Sequence, residues 1–203
     1  MANAVQVHRL NSGLRALVAA TINQASQLMT ASSSVTTNEL VNALKVYGDQ
    51  LDTIKLWIMH SNVYFDLVKE QIASNITNDS DFNIRNASPI TLGIPVLVSD
   101  SPAPRNTSTS PITYYTLGVR EGGLTLMQNQ PEPIIDLDVI HGKENRVVDL
   151  QGEHEYAVRL QGYRYDVANG GVNPDDSTLA TGTNWDKVAT DAKSLAAAAL
   201  SSV

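Results

Sequence analysis

The hydrophobic pattern of this sequence changes period partway along the chain, and no single-class fold accommodates that change. Over residues 11–30, Leu14, Leu17, Val18, Ile22, Ala25, Leu28 and Met29 recur at i, i+3, i+4 and i+7, the spacing that lines one face of an α-helix. From residue 112 to 165 apolar and polar residues alternate instead, as in Tyr156-Ala157-Val158-Arg159-Leu160 and Arg146-Val147-Val148-Asp149-Leu150. A period of two is that of a half-buried strand. Gly122-Gly123, Pro131-Glu132-Pro133 and Gly142-Lys143 punctuate the stretch as turns. Helices first and antiparallel strands later predict an α+β fold rather than a doubly wound α/β fold.

Local signals place the other elements. The first helix has Asn11 and Ser12 as N-cap residues, with Leu17, Val18, Ile22 and Leu28 facing a core and Arg15, Asn23, Gln24 and Gln27 facing solvent. Thr36 and Glu39 form a capping box ahead of Leu40, Val41, Ala43, Leu44 and Tyr47, with Gly48 as the stop. Residues 56–59 read as a short buried strand. Ser61 caps a third helix whose stripe is Val63, Tyr64, Leu67, Val68, Gln71 and Ile72. Residues 75–88 read as loop, 93–98 as a strand with Pro95 at its start or on an edge, and 99–111 as an exposed Ser-, Thr- and Pro-rich turn. Asn169-Gly170-Gly171 with Asn173-Pro174 is a turn cluster, and the Ala-rich stretch 186–200 reads as a short helical tail.

Composition limits what such a fold can do. A chain of 203 residues, 42% hydrophobic and 17% charged, sustains a packed core in one or two domains without a metal or disulfide staple. With no cysteine, disulfides, thiol catalysis and thiolate-ligated metal sites are excluded. The net charge of −7 opposes sequence-independent binding to nucleic acid, which needs clustered Lys and Arg. No apolar run approaches the roughly 20 residues of a membrane span. Met1-Ala2-Asn3-Ala4-Val5-Gln6 shows no basic segment followed by an apolar one, so no signal peptide is expected. A soluble acidic protein made in a cytoplasm is the expectation.

Each motif that carries chemistry elsewhere has a plainer structural reading here. His60, Ser61 and Asp66 supply the residue types of a nucleophilic triad, yet no Gly-x-Ser-x-Gly elbow surrounds Ser61. Glu153-His154-Glu155 offers metal-ligand types, but in a strand His154 faces away from both carboxylates. His8 and His141 have no histidine four residues on. Asp79, Asp81 and Asn83 imitate half a calcium loop that then fails, with Ile84 and Ile90 where Gly and Glu are required. Residues 118–123, Gly118-Val119-Arg120-Glu121-Gly122-Gly123, lack the Lys-Ser/Thr pair and following helix of a phosphate cradle. Arg159, Tyr163, Arg164 and Tyr165 fit one strand face and its reverse better than a base-stacking platform. No catalytic, cofactor-binding or metal residue is nominated, and neither a cofactor nor a metal is expected.

Four segments in order resemble the major capsid (coat) protein of tailed bacteriophages, the family with the Hong Kong 97-like fold. They are Asn38-Glu39-Leu40-Val41-Asn42-Ala43-Leu44-Lys45-Val46-Tyr47-Gly48-Asp49; Ile58-Met59-His60-Ser61-Asn62-Val63-Tyr64-Phe65-Asp66-Leu67; Leu92-Gly93-Ile94-Pro95-Val96-Leu97-Val98-Ser99-Asp100-Ser101-Pro102; and Gly162-Tyr163-Arg164-Tyr165 with Asn173-Pro174, Leu179-Ala180 and Asn184-Trp185. The resemblance implies a peripheral domain of spine helix and strands over 1–34 and 111–165, and an axial domain over 35–110 and 166–203. It implies a non-enzymatic subunit that self-assembles, through pentamers and hexamers, into the shell enclosing a DNA genome in the virion. Assembly would take place in the host bacterial cytoplasm, with scaffolding and portal proteins as further partners and no membrane. The family's N-terminal arm and extended loop precede the spine helix, whereas about ten residues precede the predicted helix here, so both are expected to be missing. The alternatives are the shell protein of a bacterial encapsulin-type nanocompartment and, from another class, a hydrolase using His60, Ser61 and Asp66.

Overall fold

Small side chains on both faces of one strand bring helices close enough to sandwich a sheet. The computed structural model describes residues 2–31, 33–78, 91–128, 134–141, 146–153 and 155–203. Helix α1 (Ala2–Ile22) leads into the short strand β1 (Leu28–Thr30). Helix α2 (Thr37–Leu44) follows, then a 3₁₀ segment (Lys45–Thr53), strand β2 (Ile54–Met59) and helix α3 (Ser61–Asn78). The strands β3 (Val96–Val98), β4 (Arg105–Asn106), β5 (Thr113–Arg120), β6 (Leu124–Gln128), β7 (Ile134–His141), β8 (Arg146–Glu153), β9 (Tyr156–Leu160) and β10 (Tyr163–Tyr165) come next. Two single-turn helices, α4 (Val167–Gly170) and α5 (Asp176–Leu179), and the strands β11 (Trp185–Lys187) and β12 (Ala197–Ser202) complete the chain.

The main sheet runs β1-β12-β5-β2-β3, with β4 paired to β5 at one end. β1 is parallel to β12 and β3 to β2, while β5 is antiparallel to both β12 and β2. The fold is therefore α+β with a mixed central sheet, to which residues on either side of 111 both contribute. Among the described residues three two-stranded units are separate from it: β6-β9, β7-β8 and β10-β11.

Two cores flank the sheet, and strand alternation divides the residues between them. On one face Ala197 and Ala199 of β12, Leu117 of β5 and Ile58 of β2 pack with Leu14 and Leu17 of α1. On the other, Ala198 and Leu200 of β12 and Trp57 and Met59 of β2 pack with Leu40 of α2, Leu67 of α3 and Tyr47. A side chain at Gly118 would place its Cβ 2.9 Å from the Trp57 ring, so the indole occupies the space that this glycine leaves. The Tyr47 hydroxyl, inside the second core, donates to the Leu195 carbonyl at 3.2 Å.

The structure corrects several sequence expectations. The stretch 186–200 is not a helix: it holds β11, a 3₁₀ turn at Ala192–Ser194 and β12. Leu195 to Leu200 are at most 2% exposed, and a strand covered on both faces carries a continuous apolar run without alternation. Alanine's helix preference, a few tenths of a kcal/mol per residue, loses to that burial. The first helix starts at Ala2 and stops at Ile22 instead of covering 11–30. Asn11 and Ser12 therefore lie inside it, with the Ser12 hydroxyl oxygen 3.1 Å from the His8 carbonyl. Leu28 and Met29 are strand residues, and Gln27 is buried, its amide donating to the Ala192 carbonyl at 3.0 Å. Helix α3 runs on through residues read as loop, to Asn78.

Other expectations match in part. The Thr36 side chain accepts from the Glu39 amide at 3.3 Å, whereas Gly48 is not the stop expected of this helix: α2 ends at Leu44, and Gly48, with φ of 51°, kinks the 3₁₀ segment that follows. Pro95 stands just before the edge strand β3, its carbonyl accepting from the Trp57 amide at 2.9 Å.

Candidate functional site

The start of α3 collects the residue types of a triad. β2 delivers its last residues into the core, and His60 follows at the turn, 6% exposed. Its carbonyl accepts the first helical bond from the Tyr64 amide at 3.1 Å. Its Nδ1 accepts from the Asn62 amide at 3.2 Å, so the imidazole does the capping that sequence reasoning gave to Ser61. Nε2 lies 3.8 Å from Asp100 Oδ1, and the ring tilts over Tyr114 at a centroid distance of 5.0 Å. Asn62 closes the cluster by donating to the Tyr114 hydroxyl at 2.8 Å.

This arrangement does not activate a nucleophile. Ser61 Oγ is 3.5 Å from His60 Nδ1, and that nitrogen's lone pair already serves the Asn62 amide. The Ser61 hydroxyl instead hydrogen-bonds Asp100 and is the main reason its carboxyl sits below the usual carboxylate range. Asp66, the acid proposed from sequence, pairs with Lys69 at 2.9 Å along the helix surface. Asp100 stands in its place. The cluster joins α3 to the β3 exit and to β5, and it reads as a corner of the fold.

The remaining motifs are distributed structurally. Asp79, Asp81, Asn83 and His154 lie outside the described residues, and so do the side chains of His141 and Glu153. Among the described residues, no group of three His, Asp or Glu is placed to hold a metal. Gly122 and Gly123 turn the chain from β5 to β6, with the Gly123 amide donating to the Arg120 carbonyl at 3.0 Å, and no helix opens there. Arg164 pairs with Asp186 at 3.3 Å. Tyr163 is buried, which raises its hydroxyl pKa. The Tyr165 ring packs edge-on against Trp185 at 5.3 Å. No base-stacking face is left at the Tyr pair. Sequence reasoning also missed Asp176, which accepts from Ser12 and, at 3.2 Å, from Arg15, tying α5 to α1. An N-terminal helix residue and an aspartate about 160 positions later share no local signal.

The β7–β8 hairpin is the surface that a self-contained fold does not explain. Cross-strand partners Leu137↔Leu150 and Val139↔Val148 share a face with Ile135, which lies opposite Gly152. The reverse face carries Asp136 opposite Gln151, Asp138 opposite Asp149 and, nearer the turn, Ile140 opposite Val147, both more than half exposed. Ile135, Leu137, Val139, Val148 and Leu150 are between 38% and 65% exposed, and among the described residues the two strands pair only with each other. A two-stranded hairpin with no layer against it is marginal in water, and a contiguous apolar face is the mark of an interaction surface.

Residues 1–198 match the family model described as Gp13-like, major capsid protein 13-like. No curated protein matches the chain.

Proposed function

Because the chain belongs to the Gp13-like family of phage major capsid proteins, a family of shell-forming structural proteins, we propose that it is the subunit of a tailed-phage shell built from pentamers and hexamers around packaged DNA. The observation that carries this reading beyond the family match is the open apolar face of the β7–β8 hairpin, which needs a partner. A shell subunit meets copies of itself through several non-identical contacts, and a −7 charge keeps its surface from holding the phosphates it encloses. The match favours a phage capsid over an encapsulin-type nanocompartment.

The Hong Kong 97-like division is part of the same proposal: residues 1–34 and 111–165 form the peripheral domain, 35–110 and 166–203 the axial domain, with strands of both meeting in the main sheet. Scaffolding and portal proteins are the further partners, and assembly takes place in the host cytoplasm. The subunit has no catalytic role in this reading, and the His60–Ser61–Asp100 cluster is structural. Electron microscopy of the concentrated chain, alone and with a scaffolding protein, should show rings of five or six, or closed particles. A chain that stays monomeric under both conditions would overturn the shell reading. Ester turnover abolished by Ser61→Ala would instead restore the hydrolase.

A further inference from the structure

A second apolar surface lies on the α2 side of the sheet. A cleft of about 910 Å³ runs between α2, the 3₁₀ segment, the start of β2 and the turn before β3. Val41, Leu51, Leu92, Ile94 and Pro95 supply its apolar lining, and Val41, Leu51 and Leu92 are each at least 38% exposed. Leu92 holds its place with φ of 59°, ahead of Gly93 at 74°. A left-handed backbone costs an L residue roughly 1–2 kcal/mol, so the fold keeps an unfavourable conformation where it displays a leucine to the cleft. Lys45, Lys55 and Asp52 also line the cleft and are exposed, which leaves its rim with one net positive charge. The Lys45 ammonium is bound only by the neutral Asn42 side chain, at 2.7 Å, among the contacts described.

We propose that the apolar face of the β7–β8 hairpin of one copy seats in this cleft of a neighbouring copy. The inference rests on the shell reading and names the contact it needs. Charge selects the pairing. With Leu137, Val139, Val148 and Leu150 turned into the cleft, Asp136, Asp138 and Asp149 face outward along the hairpin's back, with Ile140 and Val147 at the end nearer the turn. Lys45 and Lys55 then stand beside the hairpin, where a four-carbon side chain reaches round to those carboxylates. Two hairpins packed against each other would cover the same apolar face but leave the lysines unused. They would also close into a pair, whereas a contact between two different patches propagates into a ring.

The chain has no cysteine, so an engineered thiol pair reports on this contact without background. In the double variant Leu137→Cys/Leu92→Cys, mild oxidation of the concentrated chain should give a ladder of disulfide-linked oligomers on a non-reducing gel, and neither single variant should do so. Dimers from Leu137→Cys alone would show hairpin packed on hairpin and overturn the proposal, as would the absence of any link in the double variant. Lys45→Glu/Lys55→Glu should weaken self-association in sedimentation about tenfold, and adding Asp136→Lys/Asp138→Lys should recover it. No weakening would remove the charge argument and with it the choice of cleft. Electron microscopy of the same samples separates the two levels. Particles without cross-links contradict the hairpin contact and leave the shell reading intact, while cross-links without particles do the reverse.

Discussion

Strand β12 and the β7–β8 hairpin both carry apolar side chains, small ones in the first and branched ones in the second, yet one is sealed and the other lies open. In β12 every residue from Ala197 to Leu200 is at most 2% exposed, because α1 covers one face of the sheet and α2 and α3 cover the other. In the hairpin one face is aliphatic and bare, while the other mixes three aspartates with the exposed pair Ile140 and Val147. The difference lies in what each strand has to satisfy alone. β12 completes its packing within one chain, so it needs no polar face and can dispense with alternation. The hairpin must remain soluble before it meets a partner, and the carboxylates on its back serve that end. Apolar side chains contribute folding energy in one place and recognition in the other.

Truncations should separate the two most clearly. Leu200→Ala, inside the second core, should destabilise the isolated chain by about 2–5 kcal/mol in a urea titration. If it costs no more than a surface change, β12 is not buried within its own chain. The Thr36 cap is smaller: Thr36→Ala should cost about 1 kcal/mol, measured the same way.

Acid should act on the folded body in a defined window. The carboxyl pKa of Asp175 falls to about 2, chiefly through hydrogen bonds from Thr178. Those of Asp49 and Asp100 fall below the usual value through Lys193 and Ser61 respectively. Because these folded-state values are depressed, the stability they supply is complete above the unfolded carboxylate value of about 4 and is lost as pH drops through the folded values. Thermal midpoints should hold from neutral pH to about 5 and then decline toward pH 2. The decline should be shallower in Asp175→Ala, and an unchanged acid limb would mean that the Asp175 cap is not formed. The smallest effect belongs to the hairpin. Leu137→Ala should change the stability of the dissociated chain by less than about 0.5 kcal/mol, and a larger loss would place that side chain in an intramolecular core.

What the sequence made legible follows from this contrast. The hairpin's period of two, the Thr36–Glu39 cap and the turn at Gly122-Gly123 are local signals and could be read directly. The identity of β12 could not, since a two-sided apolar strand and an Ala-rich helix look alike over six residues, and only the helices on both sides of the sheet decide between them. Gln27 and Ser12 were misplaced for a related reason: their polar partners, the Ala192 carbonyl and Asp176, come from the other end of the chain. At the start of α3 the histidine and serine were found but the acid was not. Asp66 lies on the same helix as Ser61, whereas Asp100 reaches His60 only because β3 pairs with β2.

The central claim is that β12 is closed by its own chain and the hairpin by another copy. Backbone amide exchange, followed on dissociated subunits and on assembled particles, tests both halves in one experiment. The amides of β12 should be strongly protected in both states. Those of the hairpin, between Ile135 and Ile140 and between Val147 and Gly152, should exchange fast in the subunit and slow markedly on assembly. A hairpin already protected in the dissociated subunit, or still unprotected in the particle, would contradict the account.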